Sequence, residues 1–252
     1  MSKNFELLYQ TGKAQEMLQV DAQPESSPLA PSEQTLSTPA LEIEGMAREE
    51  LSKLVHRLFL MPGTEGPRHV VFAGTESGTG CSWTCAHAAE ILASQVRDSV
   101  CIVDCNLTTP SLHRQFGVEN HFGLADALTG AGPVRQYARQ LSRQNLWFVS
   151  CGAIDAGSGQ LLASDRMRVR ITELRSEFDY VLMDVAPMNL CNHTMMLGSM
   201  TDGVVLVIKA NASRRDASRE AVQQLRSANV RVLGAVLNQR TFPIPERLYK
   251  RL

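Results

Sequence analysis

Apolar residues fall in short unbroken runs along most of the chain. RHVVFAG (68–74), SVCIVDC (99–105), LWFVSCG (146–152), DYVLMDV (179–185), GVVLVIK (203–209) and RVLGAVL (231–237) each read as a strand. Their apolar character is continuous rather than alternating, which is the mark of strands covered on both faces. Between most of them lie segments of crossover length with helical spacing. The pattern predicts an α/β fold, a doubly wound and mainly parallel sheet with helices on both faces. Ahead of the first strand, LEIEGMAREELSKLVHRLFL (41–60) repeats Leu51, Leu54, Val55, Leu58 and Phe59 at helical spacing and predicts a helix with one apolar face.

The pattern changes at the N-terminus. Phe5, Leu7, Leu8, Met17 and Leu18 predict a short amphipathic helix within residues 1–20 that has nothing local to pack on and is expected to dock on a partner. Residues 21–40 carry Pro24, Pro28, Pro31 and Pro39 among serines, too few apolar groups to offset the entropy of ordering, and read as a flexible linker. Residues 41–252 are assigned to the α/β domain.

Composition narrows the classes. With 252 residues, 44% of them hydrophobic, the chain can bury one sizeable core beside its tail. The net charge of −1 gives no global attraction to nucleic acid, and none is expected as a partner. No apolar run approaches the roughly 18 residues of a membrane span, and MSKNFELLYQ lacks the apolar region of a signal peptide, so a cytoplasmic location is expected. The six cysteines are then expected as free thiols.

In a doubly wound sheet, ligands sit at the carboxyl ends of the strands. After the first run comes TESGTGCS (75–82), where Gly78 and Gly80 let the backbone curl so that its N–H groups face an anion at the start of the next helix. Phosphate-binding loops follow G-x-x-x-x-G-K-[ST]. Here Thr75 opens the loop, Thr79 and Gly80 lead into the helix, Cys81 replaces the lysine, and Ser82 is placed to ligate Mg²⁺. A lysine at about 4 Å from a phosphate charge is worth roughly 4 kcal/mol at an effective dielectric near 20. Asp104 and Asp184 end two further strands, and with Ser82 they form a candidate magnesium nucleotide site.

These three segments, in this order and spacing, resemble the cytoplasmic kinase domain of the bacterial tyrosine kinases (the BY-kinase, CpsD/CapB-like group), relatives of the MinD/ParA P-loop ATPases. The resemblance runs from about residue 45 to about residue 240 and extends to PSLHRQFGVENHFGLADALTG, SCGAIDAGSGQLLASDRM, TDGVVLVIKANASRRDASREAV and VLGAVLNQR. It implies ATP or ADP with Mg²⁺ as ligands, residues 75–82 as the Walker A loop, Asp104 as the Walker A′ acid, Asp184 as the Walker B acid and Asn238 near the adenine. It also implies a membrane polysaccharide co-polymerase or other export component as partner, a peripheral position at the inner membrane through that partner, and a role in exopolysaccharide or capsule biosynthesis.

The chain departs from the family pattern in several places. Cys81 stands for the lysine, Asn106 for the second A′ acid, Thr108 and Thr109 for arginines, and the C-terminal TFPIPERLYKRL has one tyrosine, Tyr249, instead of a cluster. Phosphoryl transfer relies on the charges lost at the first two positions, so catalysis should suffer more than binding. An active, divergent kinase or ATPase using Asp104 and Asp184 with a cation such as Arg114 or Lys209 is an alternative. A MinD/ParA-like positioning ATPase is another, set against Glu76, where that branch places a lysine. On the helix at 49–60, Glu50, Lys53 and His56 stand at the spacing of the family's E-x-x-R-x-x-R pattern and suggest a weakened homo-oligomer contact. Finally, a thiol at a helix N-terminus is expected to have a lowered pKa, which would make Cys81, with Cys105 facing the same crevice, a redox gate.

Overall fold

The computed structural model describes residues 41, 43, 45–61, 65–154, 158–210 and 215–239, all within one compact unit, Thr35–Leu252. The expected N-terminal helix (1–20), the linker (21–40) and Tyr249 lie outside the described residues.

Seven strands form one sheet: β1 (His69–Gly74), β2 (Val100–Cys105), β3 (Arg139–Gln140), β4 (Leu146–Val149), β5 (Tyr180–Val185), β6 (Gly203–Lys209) and β7 (Val232–Asn238). Their order is β3-β4-β2-β5-β1-β6-β7, parallel throughout except for β3, which pairs antiparallel with β4. All six predicted runs are strands. The two-residue β3 escapes prediction because Arg139 and Gln140 are exposed and carry no apolar signal.

Side chains alternate across each strand, so the runs feed two cores. Val70, Phe72, Ile102, Leu182, Val205 and Val207 face one side, beneath α1 (Gly45–Phe59) and α2 (Cys81–Gln95). Val71, Val103, Met183, Val204 and Leu206 face the other, beneath α4 (Leu124–Thr129), α6 (Asp165–Glu177) and α8 (Arg215–Ser227), between which the short helices α5 (Ser158–Leu161) and α7 (His193–Ser199) fall in the chain. Fully burying each such side chain contributes about 1.5–3 kcal/mol. Helix α2 is buried along nearly its whole length, and Ala86, Ala88 and Ala89 bring it close against the sheet. The predicted helix at 49–60 is α1, which begins earlier, at Gly45, and buries Leu51, Val55 and Phe59. On its outer face Lys53 pairs with Glu49 and Glu50 at 2.9 Å each, exposed to solvent.

One buried cation organises the second face. Arg170 of α6 donates to the carbonyls of Ala127 (2.7 Å), Gly130 (2.8 Å) and Gly132 (2.7 Å) and pairs with Glu173. Together with Arg166, which donates to the Thr129 carbonyl at 2.7 Å, it satisfies the open carbonyl end of α4.

Candidate functional site

The loop after β1 has the predicted curl. Gly78 and Gly80 both sit at φ +78°, a left-handed conformation that side chains with a Cβ rarely adopt. At Gly78 only the backbone angle demands glycine, since nothing lies within 4 Å of a Cβ placed there. At Gly80 a Cβ would also collide with the Asn238 amide. Thr75 anchors the start of the loop by donating its N–H to Val207 of β6 at 3.2 Å, and Thr84 anchors the end by donating to Gly80 at 2.9 Å. Among the described residues, the amides of Gly78, Thr79 and Gly80 make no backbone hydrogen bond, as an anion cradle requires.

The last residue of β7 and the residue after it hold this loop from the side. Asn238 Nδ2 donates to the Thr79 carbonyl at 2.9 Å, and Gln239 Nε2 donates to the Gly78 carbonyl at 3.1 Å. Asn238, expected beside an adenine, thus has its amide on the loop itself. Gln239 was missed by sequence reasoning; its signal is a second carboxamide directly after the last apolar run.

The acids stand together. Asp104 and Asp184 are register partners on the adjacent strands β2 and β5, both fully buried on the α2 face. Asp104 accepts hydrogen bonds from the amides of Asn106 (3.1 Å) and Leu112 (3.2 Å), so it also fixes the start of the short helix α3 (Leu112–Gln115). Burial pushes its pKa up to about 6 despite those amides. Asp184 is pushed further, to about 8, first by burial and then by the neighbouring Asp104 charge. No hydrogen bond of ordinary geometry reaches either Asp184 oxygen, although the Ser82 hydroxyl and Cys81 thiol lie close enough to moderate the rise.

Cys81 opens α2, is 9% exposed, and approaches Asp184. The expected low pKa is overturned: burial, and then the Asp184 charge, raise the thiol well above its ordinary value. Cys105 does not share the crevice. Strand alternation turns it away from Asp104 into the opposite core, beside Val103 and Cys151. All six cysteines are free, and five are buried.

Asn106 is the other altered position. Its Oδ1 accepts from the amides of Thr108 (3.3 Å) and Thr109 (3.0 Å), so the carboxamide shapes the loop between β2 and α3. Arg114 on α3, two residues beyond the Leu112 whose amide donates to Asp104, itself donates to the Pro110 carbonyl at 3.4 Å.

These residues fit a magnesium nucleotide in one respect and not in another. A fully buried carboxylate pair with unpartnered oxygens on Asp184, beside Ser82, is a donor set suited to Mg²⁺ completed by phosphate oxygens and water. Thr75 Oγ1 is likewise buried without a partner. Position 81, however, supplies no cation to a phosphate. Among the described residues no group of three or more His, Cys, Asp or Glu is arranged to hold a metal by protein ligands alone. No described helix is long and apolar enough to cross a membrane.

No family model matches the chain. It is 30% identical over 190 residues to the putative tyrosine-protein kinase EpsB of Ralstonia nicotianae, a match covering 75% of this chain and 25% of that protein. It is 28% identical over 171 residues to the tyrosine-protein kinase YwqD of Bacillus subtilis, covering 68% of this chain and 72% of YwqD. The chain thus spans a quarter of the length of one relative and nearly three quarters of the other. Among solved structures, the kinase domain of Escherichia coli tyrosine kinase ETK has a TM-score of 0.68 at 22% identity, covering 79% of this chain and 78% of that one. The septum site-determining protein MinD of Pyrococcus horikoshii, complexed with Mg-ADP, has a TM-score of 0.58 at 22% identity, covering 73% and 76%. The chain is a homologue of the bacterial tyrosine-protein kinases, built on the P-loop α/β fold that their kinase domains share with the MinD and ParA ATPases.

Proposed function

We propose that this chain is a nucleotide-binding regulatory counterpart of the bacterial tyrosine kinases, in which phosphoryl transfer is impaired. It takes ATP or ADP with Mg²⁺ at the loop 75–82, with Ser82, Asp104 and Asp184 toward the metal and Asn238 beside the nucleotide. The bound metal would neutralise phosphate charge. The chain's own part is to seat the anion on the loop amides and to hold two carboxylates in register. Its role, as the family resemblance implies, is to control exopolysaccharide or capsule biosynthesis through a membrane export partner, from a peripheral position at the inner membrane.

The observation that carries this reading is Cys81, a neutral buried thiol against Asp184 where a kinase of this type needs an ammonium group. The test is calorimetric titration of ATP with and without Mg²⁺, paired with a labelled-phosphate transfer assay. The expected result is weak magnesium-dependent binding without transfer, with a gain of about tenfold or more in affinity for Cys81→Lys. The intact acid pair favours a second reading, a divergent active kinase. Transfer by the wild-type chain that is lost in Asp184→Ala would establish that reading and end the first.

A further inference from the structure

A row of chemistry-bearing residues runs along the carboxyl ends of the strands on the α2 face. Asp104 and Asp184 occupy it on β2 and β5, Gly74 on β1, and the loop-holding Asn238 on β7. Lys209, the last residue of β6, completes it. It is the register partner of Asn238, and Val207, two residues before it, pairs with Gly74 and takes the Thr75 amide. Val205 and Val207 pack in the α2-face core, so strand alternation puts Lys209 on that same face. Two residues of strand span about 7 Å, which sets the Lys209 backbone just beyond the anchored start of the loop. The acids lie on the far side of β1, because β1 stands between β5 and β6.

We propose that Lys209 is a phosphate-contacting cation of this site, supplying from β6 part of the charge that position 81 lacks. An anion seated at the start of α2 would then lie between a metal on the Asp104–Asp184 side and an ammonium group on the β6 side. Arg114, the other cation the sequence offered, sits on α3, whose start is held by Asp104 on the metal side of the loop rather than on the β6 side. The inference rests on the nucleotide-binding reading above and deepens it.

The test is calorimetric titration of ATP, ADP and adenosine, with Mg²⁺, into the full chain and into Lys209→Ala, Lys209→Gln and Lys209→Arg, each checked by circular dichroism. The expected result is a loss of about tenfold or more in ATP and ADP affinity for the alanine and glutamine variants, with adenosine binding unchanged and the arginine variant close to wild type. The variant Cys81→Lys combined with Lys209→Ala should recover ATP affinity. Wild-type ATP affinity in both neutral variants would overturn the assignment while leaving the nucleotide site standing. Failure of wild type to bind ATP or ADP would overturn both.

Discussion

Removing the charge of Asp184 should stabilise the ligand-free chain at alkaline pH while disabling its metal chemistry. Asp184 is fully buried beside Asp104, and its pKa is raised from 3.8 to about 8. A carboxyl whose folded pKa exceeds its unfolded one keeps its proton in the folded state after the unfolded chain has lost its own. Its contribution to stability is therefore full below about pH 4 and is lost as pH rises to about 8. At about 1.4 kcal/mol per pH unit, holding Asp184 ionised in the ligand-free fold costs on the order of 5 kcal/mol. Asp104, raised to about 6, begins the same loss earlier, and the two protons leave in steps that belong to the pair. In Asp184→Asn the carboxamide cannot ionise, but it enters a site without ordinary partners, at about 1–3 kcal/mol. The net gain near pH 9 is about 2–4 kcal/mol, or a Tm higher by roughly 5–15 °C for a domain of this size. Thermal melts in EDTA at about pH 5.5, 7 and 9 test it. A wild-type Tm that does not fall from pH 5.5 to 9, or an Asn variant less stable than wild type at pH 9, would refute the reasoning.

Four further outcomes are expected. Because a proton on Asp184 competes with the metal, Mg-ATP affinity should rise as pH increases through about 8; calorimetry in buffers of differing ionisation heat should register proton release, and a flat profile would count against the carboxylate pair as metal ligands. Gly80→Ala should cost about 1–3 kcal/mol in urea unfolding, because it combines φ +78° with a collision at Asn238, and a neutral result would disprove the clamp. Arg170→Ala strips the Ala127 and Gly132 carbonyls of their side-chain donor and Glu173 of its ion pair and should cost about 3 kcal/mol, whereas a loss below about 1 kcal/mol would show that Arg166 and the Val134 amide suffice to hold this corner. In an Ellman assay on the folded protein, Cys191 should react fast and Cys81 slowly, since burial raises the Cys81 thiol; rapid modification of Cys81 would restore the redox-gate idea.

The sheet was legible because six of its strands are apolar on both faces, and the loop's curl because Gly78 and Gly80 sit between a strand and a helix at the spacing of a tight turn. What escaped was whatever depends on neighbours distant in sequence. Cys81 reads as a reactive helix-terminal thiol until β5 brings Asp184 against it in a buried setting. Cys105 reads as a crevice residue until the pleat of β2 sends it into the other core. Asn106 looks like a lost acid, and only its bonds to Thr108 and Thr109 reveal a loop-shaping carboxamide. The upward shifts of Asp104 and Asp184 come from strand register, which no local pattern encodes.

The clamp from Asn238 to Thr79 joins residues 159 positions apart. On a ribosome adding about 5–20 residues per second, the loop would be made roughly 8–30 s before its partner. Through that interval the glycine turn has no carboxamides to hold it, and the sheet lacks its final strand. The loop's shape is therefore completed only when the last described strand is made, and a chain truncated before Asn238 would carry the complete phosphate-loop sequence without the carboxamide that holds it.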